Sequence, residues 1–165
     1  MIYESFTHAG ELPGLVRRLR PATLVLDVEP LISRWDDSQE SLDRGLAHAV
    51  ALMSEVPELS VLCFATNSAR GPAIIPRTVT LRVEYLVSAH KPARTTPYLR
   101  WPRPGAVAGD QVLTDGLLAR RLGYAFLHYR LDPRQMPFRP RLLALPGELV
   151  RPLVFAHRNP ARQPE

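Results

Sequence analysis

Thr23-Leu24-Val25-Leu26-Asp27 is an unbroken apolar run that stops at an acid, and its reading sets the reading of the rest of the chain. Alternation of apolar and polar residues marks a strand with one wet face. A run without alternation marks a strand covered on both faces, as in a parallel sheet. Ser60-Val61-Leu62-Cys63-Phe64-Ala65 repeats the pattern and stops at Thr66-Asn67. Ala106-Val107-Ala108 does so again before Gly109-Asp110. Shorter strands are expected over Val83 to Val87, just before Lys91, and over Tyr124 to Tyr129.

Helical spacing fills the gaps between these runs. Glu11 to Leu19 reads as a short helix. Asp37-Ser38-Gln39-Glu40 has the form of a capping box, with Asp37 as N-cap. Behind it, Leu42, Leu46, Ala49, Val50, Met53 and Val56 form one apolar stripe, so a helix is expected over about 38–55, closed by Pro57. Thr96-Pro97 can open a short helix. Thr114 can cap another that carries Leu117, Leu118 and Leu122 and stops at Gly123. Residues 68–82 resist assignment, because Gly71, Pro72 and Pro76 oppose a regular helix. Strands alternating with helices predict an α/β fold: a three-layer sandwich around a mostly parallel, Rossmann-like sheet. The core is expected over residues 1–131. Residues 132–165 read as a Pro- and Arg-rich extension, with one packed segment at Leu149 to Phe155 and a loose, flexible end at 157–165.

Composition narrows the function classes. A chain of 165 residues, 45% hydrophobic and 22% charged, suits one soluble domain with a real core. No apolar run approaches the roughly 18 residues of a membrane span. The start, Met1-Ile2-Tyr3-Glu4-Ser5, lacks the features of a signal peptide, so a cytoplasmic location is expected. The single cysteine, Cys63, excludes an internal disulfide and reads as a buried thiol. The net charge of +5 permits anionic partners without choosing among them. An Arg-, Ala- and Pro-rich chain has a bland cause in base composition, so a nucleic-acid partner is given little weight.

One basic residue stands apart. Twenty of the 21 are arginine and the exception is Lys91. A lysine ammonium is a compact point charge that arginine does not replace in a tight anionic site. Asp27, Thr66, Lys91 and Asp110 each fall at or just past the carboxyl end of an apolar run, where open α/β sheets bind ligands. Asp27, Asp110 and Asp115 brought together would repel, and one of them must take up a proton or a cation must enter. Mg²⁺ suits one or two carboxylates, waters and a substrate phosphate. Lys91 would add positive charge where a phosphoryl group is negative, and Thr66 would donate a hydroxyl. An aspartate so placed can attack phosphorus and form an aspartyl-phosphate.

The order of strand-Asp, strand-Thr, Lys-Pro and Gly-Asp-x-x-x-x-Asp resembles the haloacid dehalogenase (HAD) superfamily of phosphatases, within it the capless subfamily IIIA, and most closely the YqeG-type proteins related to phosphatidylglycerophosphate phosphatases. The matching text is Leu26-Asp27 through Trp35-Asp36, Ala65-Thr66-Asn67, Ala89-His90-Lys91-Pro92 and Gly109-Asp110-Gln111 with Thr114-Asp115, within about residues 10–130. The resemblance implies a HAD fold and a Mg²⁺-dependent phosphohydrolase. Asp27 would be nucleophile and metal ligand. Thr66, Asn67 and Lys91 would hold the phosphoryl group. Asp110 would bind the metal, and Asp115 would support the metal shell or Lys91. Glu29, two residues after the nucleophile, would be the general acid/base, its backbone carbonyl also reaching the metal.

The chain departs from the family at that point. Where Asp-x-Asp-x-Thr is usual, it reads Asp27-Val28-Glu29-Pro30-Leu31. The added methylene of Glu29 matters, because a misplacement of about 1 Å can cost on the order of 100-fold in rate. The enzyme reading is favoured. Its alternative is a degenerate HAD-fold protein, with little or no turnover, that binds or scaffolds. Neither of the gaps after Asp27 and Thr66 can hold a cap domain. An open site suits a large phosphorylated substrate, and by analogy a phospholipid such as phosphatidylglycerophosphate, which would place the protein at the inner face of the membrane. The five histidines, His8, His48, His90, His128 and His157, show no metal-ligand spacing and are expected to be structural. Trp35 reads as a loop anchor.

Overall fold

The computed structural model describes residues 1–132, 146–147, 149–152 and 154–155. The expected loose tail at 157–165 and most of the extension lie outside the described residues. Six strands form one all-parallel sheet: β1 (Tyr3–Phe6), β2 (Thr23–Asp27), β3 (Val61–Ala65), β4 (Arg82–Leu86), β5 (Gly105–Gly109) and β6 (Ala125–Tyr129). Their order across the sheet is β1-β6-β5-β2-β3-β4. Among the described residues, helices α1 (Leu12–Leu19), α2 (Gln39–Met53) and α3 (Leu117–Leu122) lie between the strands.

The unbroken apolar runs are explained by two cores, one on each face. Leu24, Leu26, Leu62, Phe64, Ala106 and Ala108 point to the face covered by α1 and α2. Val25, Val61, Cys63, Ala65 and Val107 point to the other face, under α3 and the Tyr98–Trp101 corner. β2, β3 and β5 are buried at every position. Each large aliphatic side chain so buried contributes about 1.5–3 kcal/mol. The stripe of α2 buries Leu42, Leu46, Ala49, Val50 and Met53 against the first core. Cys63 is a free, fully buried thiol in the second core, and burial pushes its pKa up.

Several boundaries differ from the sequence reading. The N-cap of α2 is Ser38, whose side chain accepts from the Ser41 backbone N–H at 3.2 Å. Asp37 instead accepts from the Arg34 N–H at 2.7 Å and closes the preceding turn. Thr114 does not cap a helix. It lies inside a π-turn, Val112–Gly116, that leads into α3, and its hydroxyl lies 3.3 Å from Asp115 Oδ2. Gly123 does end α3, in the left-handed conformation at φ 68°. Thr96-Pro97 opens only a single 3₁₀ turn, Thr96–Tyr98. β1 is an additional strand at the edge, paired with β6.

Residues 146–147, 149–152 and 154–155 are helical, with Val150 and Phe155 packed on the second core. The stretches 28–38 and 66–81 hold only turns and bends, so no folded module sits over the carboxyl edge there. Among the described residues, no helix is long and apolar enough to cross a membrane.

Strand order reverses between β2 and β5. From β2 the chain steps outward through β3 to β4, then returns to the opposite side of β2 as β5 and continues to β6. That reversal splays the connections apart and opens a crevice at the carboxyl ends of β2 and β5. Asp27 closes β2 and Asp110 follows β5, so the topology sets both acids at this crevice.

Candidate functional site

Asp27, Glu29, Thr66, Lys91, Asp110 and Asp115 are all buried at the carboxyl edge of the sheet. Lys91 is the link between them. Its ammonium lies 2.7 Å from Asp27 Oδ1 and 2.7 Å from Asp115 Oδ1. The turn that delivers it is tightly wound, with Ser88 and His90 in the left-handed region at φ 45° and 51°. Ala89 donates its N–H to the Thr66 carbonyl at 2.8 Å, tying this turn to the end of β3.

Asn67 fixes the turn from the other side. Its Oδ1 accepts from the Lys91 N–H at 2.7 Å, and its Nδ2 donates to the Lys91 carbonyl at 3.1 Å. Both ends of the amide are therefore engaged on the Lys91 backbone, and Asn67 acts here by placing Lys91. A backbone clamp across 24 residues of sequence leaves no local pattern to read.

Asp27 has one committed oxygen. Oδ1 accepts from the Val28 N–H at 2.9 Å and receives the Lys91 contact as well. Asp115 spends both of its oxygens. Oδ1 takes Lys91, while Oδ2 accepts from the Gln111 N–H and the Thr114 hydroxyl, each at 3.3 Å. Gly109 makes room for this arrangement, since a Cβ there would sit 2.3 Å from Asp115 Oδ2.

Asp110 is different. Both of its carboxylate oxygens are buried and have no hydrogen-bond partner. A buried polar atom without a partner costs about 1–3 kcal/mol, and more for a charged group. One carboxylate oxygen from each of Asp27, Asp110 and Asp115 lies within 4.8 Å of the others. Hard, anionic, oxygen-only donors at this spacing suit a divalent cation such as Mg²⁺. The three acids could hold a metal ion, and Asp110 is the member whose oxygens no other residue occupies.

Charge supports the same conclusion. Four buried carboxyl groups, Asp27, Glu29, Asp110 and Asp115, share this edge with one buried ammonium. Burial, and then the neighbouring Asp115, push the Asp110 carboxyl up to about 8. Burial and Asp115 likewise hold Asp27 well above the ordinary carboxylate range, against the pull of Lys91. Burial opposes the charge on Lys91, yet Asp115 and Asp27 outweigh it and keep the ammonium protonated far above neutral pH.

Glu29 lies outside the three-carboxylate cluster. Its Oε2 accepts the Thr66 hydroxyl at 2.7 Å, and Thr66 Oγ1 in turn accepts from the Ser68 N–H at 3.0 Å. Both groups expected to meet a phosphoryl oxygen and a leaving group are thus joined to each other. The Glu29–Pro30 and Lys91–Pro92 peptides are both cis. Trp35 is half-buried in the loop after β2.

No family model matches this chain, and neither a curated protein nor a solved structure matches it significantly.

Proposed function

We propose that this protein is a Mg²⁺-dependent phosphohydrolase of the HAD type, acting through an aspartyl-phosphate on a phosphomonoester presented at an open site. The observation that carries the reading is the partnerless, buried Asp110 carboxylate beside Asp27 and Asp115 at the sheet's reversal point. Asp27, Asp110 and Asp115 would hold the cation, which supplies charge neutralisation and orientation for a phosphate oxygen.

The protein's own groups divide the remaining work. Asp27 Oδ1 is fixed by the Val28 N–H and Lys91, which leaves Oδ2 to attack phosphorus. The new Oδ2–P bond forms as the P–O bond to the alcohol breaks. Glu29 would give the departing oxygen its proton and then take one from the water that opens the aspartyl-phosphate. Lys91 would stabilise negative charge on the transferring group, as Thr66 would once released from Glu29. With only turns at 28–38 and 66–81, a bulky substrate can approach, and a phospholipid headgroup is one that fits.

One observation favours a second reading. The Glu29 carboxylate already occupies the Thr66 hydroxyl at 2.7 Å. A chain that keeps this bond closed would retain cation or ligand binding without turnover, as a degenerate HAD-fold binding or scaffold protein.

Hydrolysis of an aryl phosphate with and without Mg²⁺, in the wild type, Asp27→Asn and Glu29→Asp, separates the two. Metal-dependent turnover lost in Asp27→Asn supports the enzyme. An inert wild type that gains activity as Glu29→Asp supports the degenerate protein. Absence of both turnover and cation binding sinks the site.

A further inference from the structure

We propose that His128 is a positioning residue for Asp110: a neutral imidazole that holds the candidate cation ligand by its backbone and is itself set by Tyr3 and Arg151. The proposal rests on the reading of Asp110 as a cation ligand.

His128 is buried in β6, where it pairs with Gly109 of β5 and Ser5 of β1. Its Nε2 lies 3.1 Å from the Asp110 carbonyl oxygen. A peptide carbonyl can only accept, so Nε2 must carry the hydrogen. Its Nδ1 lies 2.8 Å from the Tyr3 hydroxyl. The Tyr3 oxygen also receives Arg151 Nη1 at 3.3 Å, and the guanidinium lies 5.9 Å from the ring centroid. With the ring in the Nε2–H tautomer the arrangement is a directed relay: Arg151 donates to the Tyr3 oxygen, the Tyr3 O–H donates to Nδ1, and Nε2–H donates to the Asp110 carbonyl.

The ring plane is fixed as well. Phe126 stacks on His128 at 5.3 Å and 22°, and Tyr3 flanks it at 6.0 Å. Such orientation has a purpose at Asp110. No other residue hydrogen-bonds the Asp110 carboxylate, so its direction depends on its own backbone. That backbone is gripped by the imidazole at the step between β5 and the π-turn. Partners one shell away from a metal ligand typically change affinity about 10–100-fold. The relay also ties the helical segment around Arg151 to the crevice, so that segment contributes to the site without reaching it.

The test is Mn²⁺ binding, read by its paramagnetic signal, together with the ¹⁵N signals of the His128 ring. In the wild type the ring should be the Nε2–H tautomer. His128→Phe keeps the stacking but loses the donor, and should weaken Mn²⁺ binding about 10–100-fold. His128→Gln restores an N–H donor and should recover most of that loss. Tyr3→Phe removes only the hydroxyl, and should mix the tautomers and weaken Mn²⁺ binding in the same direction. If His128→Phe does not fold, Tyr3→Phe decides, and an unchanged tautomer with unchanged affinity there overturns the proposal.

Affinity kept within about twofold in a folded His128→Phe overturns the proposal and leaves the cation site intact. A wild type that binds Mn²⁺ yet hydrolyses no aryl phosphate sinks the phosphatase while the positioning role stands on affinity. A wild type that binds no Mn²⁺ overturns both.

Discussion

The Thr66 hydroxyl donates to the Glu29 carboxylate over 2.7 Å, which joins the residue after β3 to the loop after β2. On the proposed function, a ligand oxygen that takes Thr66 would displace Glu29, so binding and acid/base readiness would be coupled through one bond. Glu29→Gln keeps the shape and an acceptor for Thr66 but cannot exchange protons. It should lower kcat for an aryl phosphate about 10²–10⁴-fold with a much smaller change in KM, measured by steady-state kinetics. Equal kcat values would remove Glu29 from the chemistry.

Lys91 faces Asp27 and Asp115 with a side chain only 2% exposed. Lys91→Met leaves acids buried together without their cation. Removing one partner of a buried ion pair typically costs about 3–5 kcal/mol, and a loss of that size is expected at pH 7 by urea denaturation. The loss should shrink at pH 5, where the acids can take up protons. Lys91→Arg should not restore stability, because the planar fork cannot occupy a seat built for a point charge.

The raised pKa of Asp110 has a definite sign in the stability of the cation-free protein. Between the ordinary carboxylate value of 3.8 and about 8, the folded state keeps a proton that the unfolded chain has released. The native state therefore binds more protons, and stability falls as pH rises through this window. Asp27 acts in the same direction. Lys91 contributes no slope here, because its stabilisation is complete below its unfolded value of about 10.4. Thermal melts in a chelator should give a lower Tm at pH 8 than at pH 5. Added Mg²⁺ should raise the Tm more at pH 8, since binding then displaces fewer protons.

Gly109→Ala tests the crowding beside β5. The added Cβ would lie 2.3 Å from Asp115 Oδ2, so the carboxylate must move off its hydrogen bonds. A destabilisation of about 1–3 kcal/mol is expected from the overpacking. Weaker Mg²⁺ binding should accompany it in calorimetric titration. Normal affinity in the variant would show that Asp115 does not shape the cation seat.

The interior of this fold was legible because β2, β3 and β5 are covered on both faces and so carry runs without alternation. β1 was not. Tyr3-Glu4-Ser5-Phe6 is four residues at a sheet edge, too short and too mixed to show a period. The α2 cap moved by one residue because Asp37 and Ser38 can both cap, and the Arg34 turn claims Asp37. Thr114 looked like a cap because the sequence does not distinguish a π-turn from a helical start.

At the site, the crevice residues were legible from their places after strands, and the structure gathers Asp27, Lys91, Asp110 and Asp115 there. Their supports were not legible. Asn67 holds Lys91 across 24 residues, and His128 meets the Asp110 backbone across 18. Such pairings arise from sheet register, which a linear pattern does not encode.

The imbalance of four buried carboxyl groups against one ammonium sets an order of arrival. An anion approaching the bare crevice meets a field of its own sign, whereas a divalent cation meets an attractive one. On the proposed function the cation would come first and convert the crevice from a barrier into a seat. A phosphorylated ligand would bind second, and its apparent affinity would follow the local supply of free cation.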